Sequence, residues 1–366
     1  MRGIHQFVPM LHRHDAVGEH SRALRDSLHA SGVPSVIYTE IPDPATMDET
    51  RHYLKYGSEA EAGDVLVYQF ATDSEMAGWL AARPETIVVN YHGITPPEYF
   101  APWNNAITRL QVGAQQRLAD LAPRVALGIA DSEFISTELR QAGCTNIAVV
   151  PVAGIPAPAE PSPEALDRVR SRRKGAGAAW LSVGRWAPNK AHHQTLAALF
   201  VARATADPGA TLTLVGSPTE PAYAAALRRY AAVLGLADAV SFVSHVDDDE
   251  LAAHYRAADV LVMLSDHEGF GVPLVEAMGH DLPVVAFDAG AVGEVLGGAG
   301  ILLDEKHPRR VAAAIARLMA EPAERERLVV VGRDRLRAIG LDQSGKRLVE
   351  ALLAARTARD QGRIQP

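Results

Sequence analysis

Glu268 and Glu276 stand eight positions apart in the run Asp266-His-Glu-Gly-Phe-Gly-Val-Pro-Leu-Val-Glu276. An ionised carboxylate only accepts hydrogen bonds, so each suits a pair of ligand hydroxyls. Gly269 and Gly271 let the backbone turn tightly and approach a ligand closely. Pro273 suits a first helical turn, where its missing N–H costs nothing. The free N–H groups at such a helix start form an anion site. One loop therefore offers hydroxyl acceptors and a phosphate cradle, which fits a sugar joined to a diphosphate.

A second stretch, Leu181-Ser-Val-Gly-Arg-Trp-Ala-Pro-Asn-Lys190, has the same setting between a strand and a helix. Gly184 supplies a turn. Arg185 and Lys190 bring two cations to a helix start, where they could neutralise a diphosphate, Arg in a bidentate manner and Lys as a point charge. The stretch lacks the Gly-Lys-Ser/Thr ending of a Walker loop, and the first βα turn lacks a Gly-x-Gly-x-x-Gly fingerprint.

The first half holds softer signals. His92 ends an apolar strand, in Asn90-Tyr-His-Gly-Ile-Thr-Pro-Pro-Glu98. Tyr99 and Trp103 follow, either as an aromatic wall for an acceptor or as helix packing. Asp15 and Glu19 would give an acidic entrance in the first βα turn, suited to an acceptor bearing amines. His12-Arg-His14 and His192-His193 lack the partner spacing of a zinc site. Asp247-Asp-Asp-Glu250 reads as a helix cap rather than as an acidic metal motif.

These residues must be carried by βα units. Short β-rich runs alternate with helical segments, which predicts parallel sheets with helices on both faces. Strands are expected over 4–9, 35–39, 65–69, 86–91, 125–130 and 147–150, with helices over 17–30, 74–82, 106–121 and 133–141. Five prolines between Pro151 and Pro163 mark a linker. A second series follows, with strands over 179–183, 211–215, 240–243, 260–264, 283–286 and 300–303. Helices over 308–319, 323–338 and 343–359 end the chain. The expected domains are 1–150 with the terminal helix (343–366), the linker 151–163, and 164–342. Such domains bind ligands beyond the carboxyl ends of their strands, in a cleft, with Gly154 a candidate hinge.

Composition narrows the function. The chain of 366 residues is 48% apolar and 22% charged, with a net charge of -8. Residues 1–150 hold 11 Lys+Arg against 18 Asp+Glu, a balance that argues against nucleic acid and against anionic lipid surfaces. No apolar run is long enough to cross a bilayer. The first ten residues read as a strand rather than a leader, and the lone Cys144 fits a reducing, cytoplasmic setting.

Gly184-Arg185…Lys190 and the loop Glu268…Glu276 together resemble the retaining glycosyltransferases of GT-B type, family 4. The resemblance runs over most of residues 125–320. It includes Ala130-Asp-Ser-Glu-Phe134, Ser244-His-Val-Asp-Asp-Asp-Glu-Leu251 and Tyr255-Arg-Ala-Ala-Asp259. It implies an α/β fold of two Rossmann-like, doubly wound domains with an interdomain cleft. The N-terminal domain would take the acceptor and the C-terminal domain a nucleotide-diphosphate sugar.

By position, Glu268 would contact the sugar hydroxyls and Glu276 the ribose. Phe270, Gly271 and Val272 would offer backbone N–H groups, and Arg185 and Lys190 would grip the diphosphate. Val246 would lie near the base, Gly18 near the diphosphate, and His92 against the sugar. The implied reaction needs no cofactor or metal. It is front-face substitution with retention, onto a soluble acceptor. The alternatives are a non-transferring nucleotide-binding or partner protein of this fold, a phosphorylase, and a pseudo-glycosyltransferase joining cyclitols.

Overall fold

The computed structural model describes residues 2–12 and 15–361. Arg13 and His14, part of the His12-Arg-His14 run and of the first βα loop, lie outside the described residues.

The chain forms two compact units. One comprises Met1–Pro97, Ala106–Ile155 and Gly340–Pro366, and the other Glu98–Asn105 and Pro156–Ile339. In chain order the first half runs β1 (Ile4–Val8), α1 (Ala16–Ala30), β2 (Ile37–Thr39), β3 (Thr50–His52), α2 (Tyr56–Glu59) and β4 (Val65–Phe70). It continues α3 (Met76–Ala81), β5 (Thr86–Tyr91), α4 (Asn105–Leu121), β6 (Val125–Ala130), α5 (Glu133–Ala142) and β7 (Ile147–Val149). The second half runs α6 (Pro163–Ser171), β8 (Ala179–Val183), α7 (His192–Thr205), β9 (Thr211–Val215), α8 (Pro221–Val233), β10 (Val240–Val243) and α9 (Asp248–Ala257). It ends β11 (Val260–Met263), α10 (Val272–Gly279), β12 (Val284–Phe287), α11 (Val292–Leu296), β13 (Gly300–Leu303), α12 (Pro308–Ala320), α13 (Pro322–Ile339) and α14 (Ser344–Asp360).

Both sheets are parallel, in the orders β3-β2-β1-β4-β5-β6-β7 and β10-β9-β8-β11-β12-β13. Strands of such sheets are buried on both faces and read as continuous apolar runs. That is why β4, β5 and β11 were legible: every residue in them is buried. Alternate residues serve opposite cores. Val65 and Val67 face Leu24, Leu28, Leu348 and Leu352, while Leu66 and Tyr68 face Phe7, Phe70 and Leu80. The strand order reverses between β1 and β4 in one sheet and between β8 and β11 in the other. Ligand sites form at such switch points, outside the carboxyl ends of the strands.

Four features escape the sequence pattern. β3 is Thr-Arg-His, an exposed edge strand with no apolar alternation. α6 starts inside the proline-dense run, because Ser162 caps it and Pro163 occupies its first turn. Gly154 passes close to α1: at φ 82°, an added Cβ would lie 2.6 Å from the Glu19 carbonyl, so the position needs glycine. The short segment 98–105 packs with the second unit, through Asn104 to Glu220 at 2.9 Å and Trp103 edge-on to Tyr223 at 5.1 Å.

Candidate functional site

The loops after β8 and β11 flank the switch point of the second sheet. Gly184 has φ 146° and gives its N–H to the Val215 carbonyl at 2.9 Å. Gly216, after β9, closes over it so tightly that a Cβ there would sit 1.9 Å from the Gly184 oxygen. Trp186 is fully buried, with its backbone N–H on the Ser217 carbonyl at 2.8 Å. These contacts hold the strand-to-helix turn, and Lys190 projects from its end. The Arg185 carbonyl accepts from His192 Nε2 at 3.2 Å, while the Arg185 side chain is exposed. Burial brings His192 down to about 4, so it is a neutral structural histidine.

Lys190 meets Glu268. Its Nζ lies 2.6 and 2.8 Å from the two carboxylate oxygens, with the side chains 15% and 6% exposed. The loops are also tied by backbone: Asp266 N–H donates to the Asn189 carbonyl at 2.7 Å, and Asn189 Nδ2 reaches the His267 carbonyl at 3.4 Å. From the other side Ala291 N–H donates to the Glu268 carbonyl at 2.9 Å. Lys306 pairs with Asp266 and donates to the Leu264 carbonyl at 3.3 Å. Glu268 is thus fixed by main-chain bonds on two sides before any ligand arrives.

Gly271 (φ 88°, ψ 58°) opens α10, with Pro273 in the first turn. Helices α5, α6, α8 and α9 each have a side-chain cap, from Ser132, Ser162, Glu220 and Asp247. Helices α7 and α10, the two that follow β8 and β11, have none. At α7 the backbone N–H groups of His192 and His193 bond to the Tyr223 hydroxyl, so α10 offers the more open helix start, with the positive end of its dipole toward the loop. Phe270 and Gly271 are both buried.

Glu276 lies beyond the first turn of α10. Tyr255 of α9 donates to its Oε2 at 2.6 Å, and His280 stacks on Tyr255 at 5.3 Å. Burial pushes the Glu276 carboxyl up, and the tyrosine bond partly offsets this. A helix-dipole role would place the group in the first turn and exposed. This position instead sets the carboxylate against the Tyr255 hydroxyl. Val246 follows β10, half-buried, next to His245 at φ 59°.

At the carboxyl end of the first sheet His92 is enclosed. Its Nδ1 lies 2.8 Å from Asp131 Oδ2 and its Nε2 lies 2.9 Å from Gln69 Oε1. Gln69 and Asn90 are register neighbours on β4 and β5. Gly18 lies in the first turn of α1, where an added Cβ would be 2.4 Å from the His12 carbonyl. It is a close-packing glycine at the helix start.

The remaining expectations find internal partners. Asp15 caps α1, accepting from Gly18 N–H at 3.3 Å, and Glu19 pairs with Arg22 at 2.9 Å. Tyr99 and Trp103, expected in the first domain, belong to the second unit, where Trp103 packs on Tyr223. His193 bonds Tyr223 at 2.9 Å. Asp247 caps α9, accepting from Glu250 N–H at 2.8 Å. Cys144 is buried, which pushes its thiol up to about 11. Among the described residues no helix is long and apolar enough to cross a membrane.

Sequence reading gave no individual role to Gly216, Asn189, Gly290, Lys306, Gln69 or Asp131, although Asn189 and Asp131 stand in the quoted runs. Gly290 carries the clearest lost signal. It follows β12, has φ 61°, and presses on the Glu268 backbone, where a Cβ would come within 2.4 Å.

Comparisons with known proteins bear on this arrangement. Residues 165–335, just under half the chain, match the family of glycosyl transferases group 1. The region is the one that holds Gly184, Lys190, Glu268 and Glu276. A D-inositol 3-phosphate glycosyltransferase of Thermomonospora curvata is 37% identical over 186 residues, covering 48% of this chain and 42% of that protein. A GDP-mannose-dependent alpha-(1-6)-phosphatidylinositol monomannoside mannosyltransferase of Mycobacterium tuberculosis is 34% identical over 182 residues, covering 47% and 46%. The chain thus spans about half the length of the curated relatives it matches. Solved structures match almost throughout. Sucrose-phosphate synthase from Thermosynechococcus elongatus superposes with a TM-score of 0.77 at 21% identity, over 97% of this chain and 100% of that one. HepE of Anabaena, in complex with UDP-glucose, gives 0.73 at 19% identity over 96% and 100%. The fold is therefore GT-B, with two Rossmann-like parallel sheets.

Proposed function

We propose that the protein is a retaining glycosyltransferase. It would move a sugar from a nucleotide-diphosphate sugar to a hydroxyl of a soluble acceptor, in the cytoplasm and without a cofactor. The observation that carries this reading is the meeting of Lys190 with Glu268 at the switch point, beside the starts of α7 and α10. The family matched over residues 165–335, and the GDP-mannose dependence named for the mycobacterial relative, support this class of donor.

In this reading the N–H groups of α10, with Arg185 and Lys190, take the diphosphate. Glu268 accepts from sugar hydroxyls, and the backbone of Phe270, Gly271 and Val272 lines the sugar and distal phosphate. Glu276 holds the ribose diol through the oxygen not used by Tyr255, and Val246 lies by the base. A phosphate competes with Glu268 for Lys190, so donor binding lengthens the ion pair and frees the carboxylate for hydroxyls. The acceptor oxygen bonds to the anomeric carbon on the face that the phosphate oxygen leaves. The hydroxyl proton passes to that departing oxygen. Cations already in place stabilise the charge that develops on it.

The test is a thermal-shift panel of nucleotide sugars, since a ligand of the native state raises stability by mass action. At least one should raise the melting temperature and release its nucleotide on incubation with a hydroxyl acceptor. A panel without any shift would remove the donor site, and a shift without turnover would favour a non-transferring binder.

A further inference from the structure

The chain carries a net charge of -8, yet residues 168–174 read Arg-Val-Arg-Ser-Arg-Arg-Lys, five cations in seven positions. Cations in the last turn of a helix complement its dipole, which accounts for Arg168 and Arg170 in α6. It does not account for Arg172, Arg173 and Lys174, which lie past the last residue of that helix.

The run borders a cavity of about 1270 Å³ in the second unit, lined by all of β10 and by the first three residues of β8 and of β9. Arg170, Arg172, Arg173 and Lys174 reach it from the end of α6, Arg228 from α8 and Arg256 from α9. Among the described residues Asp259 is the one carboxylate of its lining. A concave surface lined by one sign of charge concentrates ions of the other. Three of the cations pair with carboxylates: Arg172 with Glu250 at 2.9 Å, Arg173 with Asp259 at 3.5 Å and Arg256 with Glu160 at 3.3 Å. Arg170, Lys174 and Arg228 have no carboxylate partner among the described residues. Lys174 donates to the Ala237 and Val240 carbonyls at 3.0 and 2.8 Å, and Arg228 lies over the Phe242 ring at 4.6 Å. The charges of these two are thus held in place and left uncompensated.

The floor is polar as well. Leu181, Thr213 and Ser241 are register neighbours across β8, β9 and β10, so their side chains share one face of the sheet. The preceding residues, Trp180, Leu212 and Val240, face the other way, into the large core of this unit. Thr213 and Ser241 therefore turn from that core toward the cavity, and neither hydroxyl makes a hydrogen bond among the described residues. His254 of α9 also lines the cavity. It is 5% exposed, and its buried Nε2 has no hydrogen-bond partner among the described residues. Buried polar groups are as a rule hydrogen-bonded, so this wall lacks a partner that a guest molecule would supply. Gly184, Lys190, Glu268, Gly271 and Glu276 are not part of the lining.

We propose that this cavity is a second ligand site, separate from the donor loops, for a small organic polyphosphate. The arginines meet its phosphates as bidentate forks and Lys174 as a point charge. Thr213, Ser241 and His254, which can each donate or accept, meet its hydroxyls or inner oxygens. A cavity of this size takes a molecule with several such groups rather than a single ion. The inference goes beyond the transferase reading and does not depend on it.

The experiment is calorimetric titration of the full chain with inorganic tripolyphosphate and, separately, with fructose 1,6-bisphosphate. Both are repeated in Arg185→Ala/Lys190→Ala, which disables the proposed diphosphate grip. At least one of the two should bind that background as it binds the wild type. Adding Arg170→Ser and Arg228→Ser should weaken this binding about 10-fold or more, the scale for lost bonds to charged groups. Neither arginine pairs with a carboxylate, so their loss leaves no orphaned acid. Thr213→Val and His254→Leu should each weaken it about 3-fold or more at unchanged cation count. Absence of binding to the Arg185→Ala/Lys190→Ala background would overturn the proposal. So would binding that falls with the arginines and ignores both floor substitutions, the mark of diffuse attraction to exposed cations. Thr213→Val, which keeps the side-chain shape, decides if His254→Leu does not fold. Binding is read without turnover, so the result stands whether or not the chain transfers a sugar.

Discussion

At the end of the second sheet Lys190 and Glu268 meet across two loops, with side chains 15% and 6% exposed. At the same end of the first sheet His92 and Asp131 meet with side chains 7% and 4% exposed, and a neighbouring amide fixes the second ring nitrogen. The first pair lies beside the starts of α7 and α10, and under the proposed function an incoming anion trades places with the carboxylate. The second pair is buried among neutral polar groups, with the Gln69 amide on the far ring nitrogen of His92. A mobile ion pair suits a group that must receive a charged substrate. A buried pair held by a neighbouring amide suits a group whose position must stay constant while chemistry occurs.

The largest effect should come from breaking the exchangeable pair. Lys190→Ala and Glu268→Gln are each expected to cut nucleotide-sugar turnover about 100- to 1000-fold, the scale for losing one preorganised electrostatic group. The double variant should cost little more than either single one, because the two act as a unit. Wild-type-like turnover in the single variants would dissolve the comparison at its stronger end.

Next is the backbone that holds Glu268. Gly290→Ala combines a left-handed φ of 61° with a Cβ 2.4 Å from the Glu268 carbonyl. Gly298→Ala has a left-handed φ of 85° and open space around it. The latter should cost about 1–2 kcal/mol in denaturant unfolding, the backbone contribution alone. Gly290→Ala should exceed it by about 1–3 kcal/mol of overpacking and should lower turnover as well. Equal losses would mean that the loop after β12 does not brace Glu268.

Glu276→Gln separates binding from stability. Loss of a charged acceptor for the ribose should weaken nucleotide binding about 10-fold or more by calorimetry, the worth of one such bond. Folding raises this carboxyl above its ordinary value, so the folded state favours its protonated form. Native stability contributed there is present at low pH and lost as pH rises through the raised value. Glu276→Gln should therefore melt higher than the wild type at neutral pH, with the gap closing as the solution is acidified. A lower melting temperature at neutral pH would mean that the ionised carboxylate stabilises the fold.

The smallest effect concerns Asp15, an acid given to α1 itself. Asp15→Ala should lower stability by about 1 kcal/mol, as expected for a lost N-cap, with turnover retained. A raised acceptor KM at unchanged stability would move Asp15 from helix capping to acceptor binding.

The two sheet ends also differ in how far they could be read from the chain. Gly184, Lys190, Glu268, Gly271 and Pro273 lie in two contiguous runs, and glycine and proline announce turns whatever surrounds them. Gln69, Asn90 and Asp131 are spread over three strand ends, and each alone is an ordinary polar residue there. His92 was noticed by its position, but its partners were not, because no local pattern ties residue 69 to residue 131. Strand-to-strand neighbours such as Gln69 and Asn90 follow from sheet order, which is not a local property.

The sequence by itself determined the alternation of strands and helices, the apolar strands buried on both faces, and the two glycine-bearing loops that follow β8 and β11. Burial periodicity and turn chemistry act over a few residues, so they are written locally. Tertiary structure alone decided that Lys190 neutralises Glu268, that Glu276 is backed by Tyr255, and that segment 98–105 packs with the second unit. It also decided that His92 is enclosed by an amide and a carboxylate. Each of these depends on which strands become neighbours, and that order is fixed only when distant segments pack into one sheet.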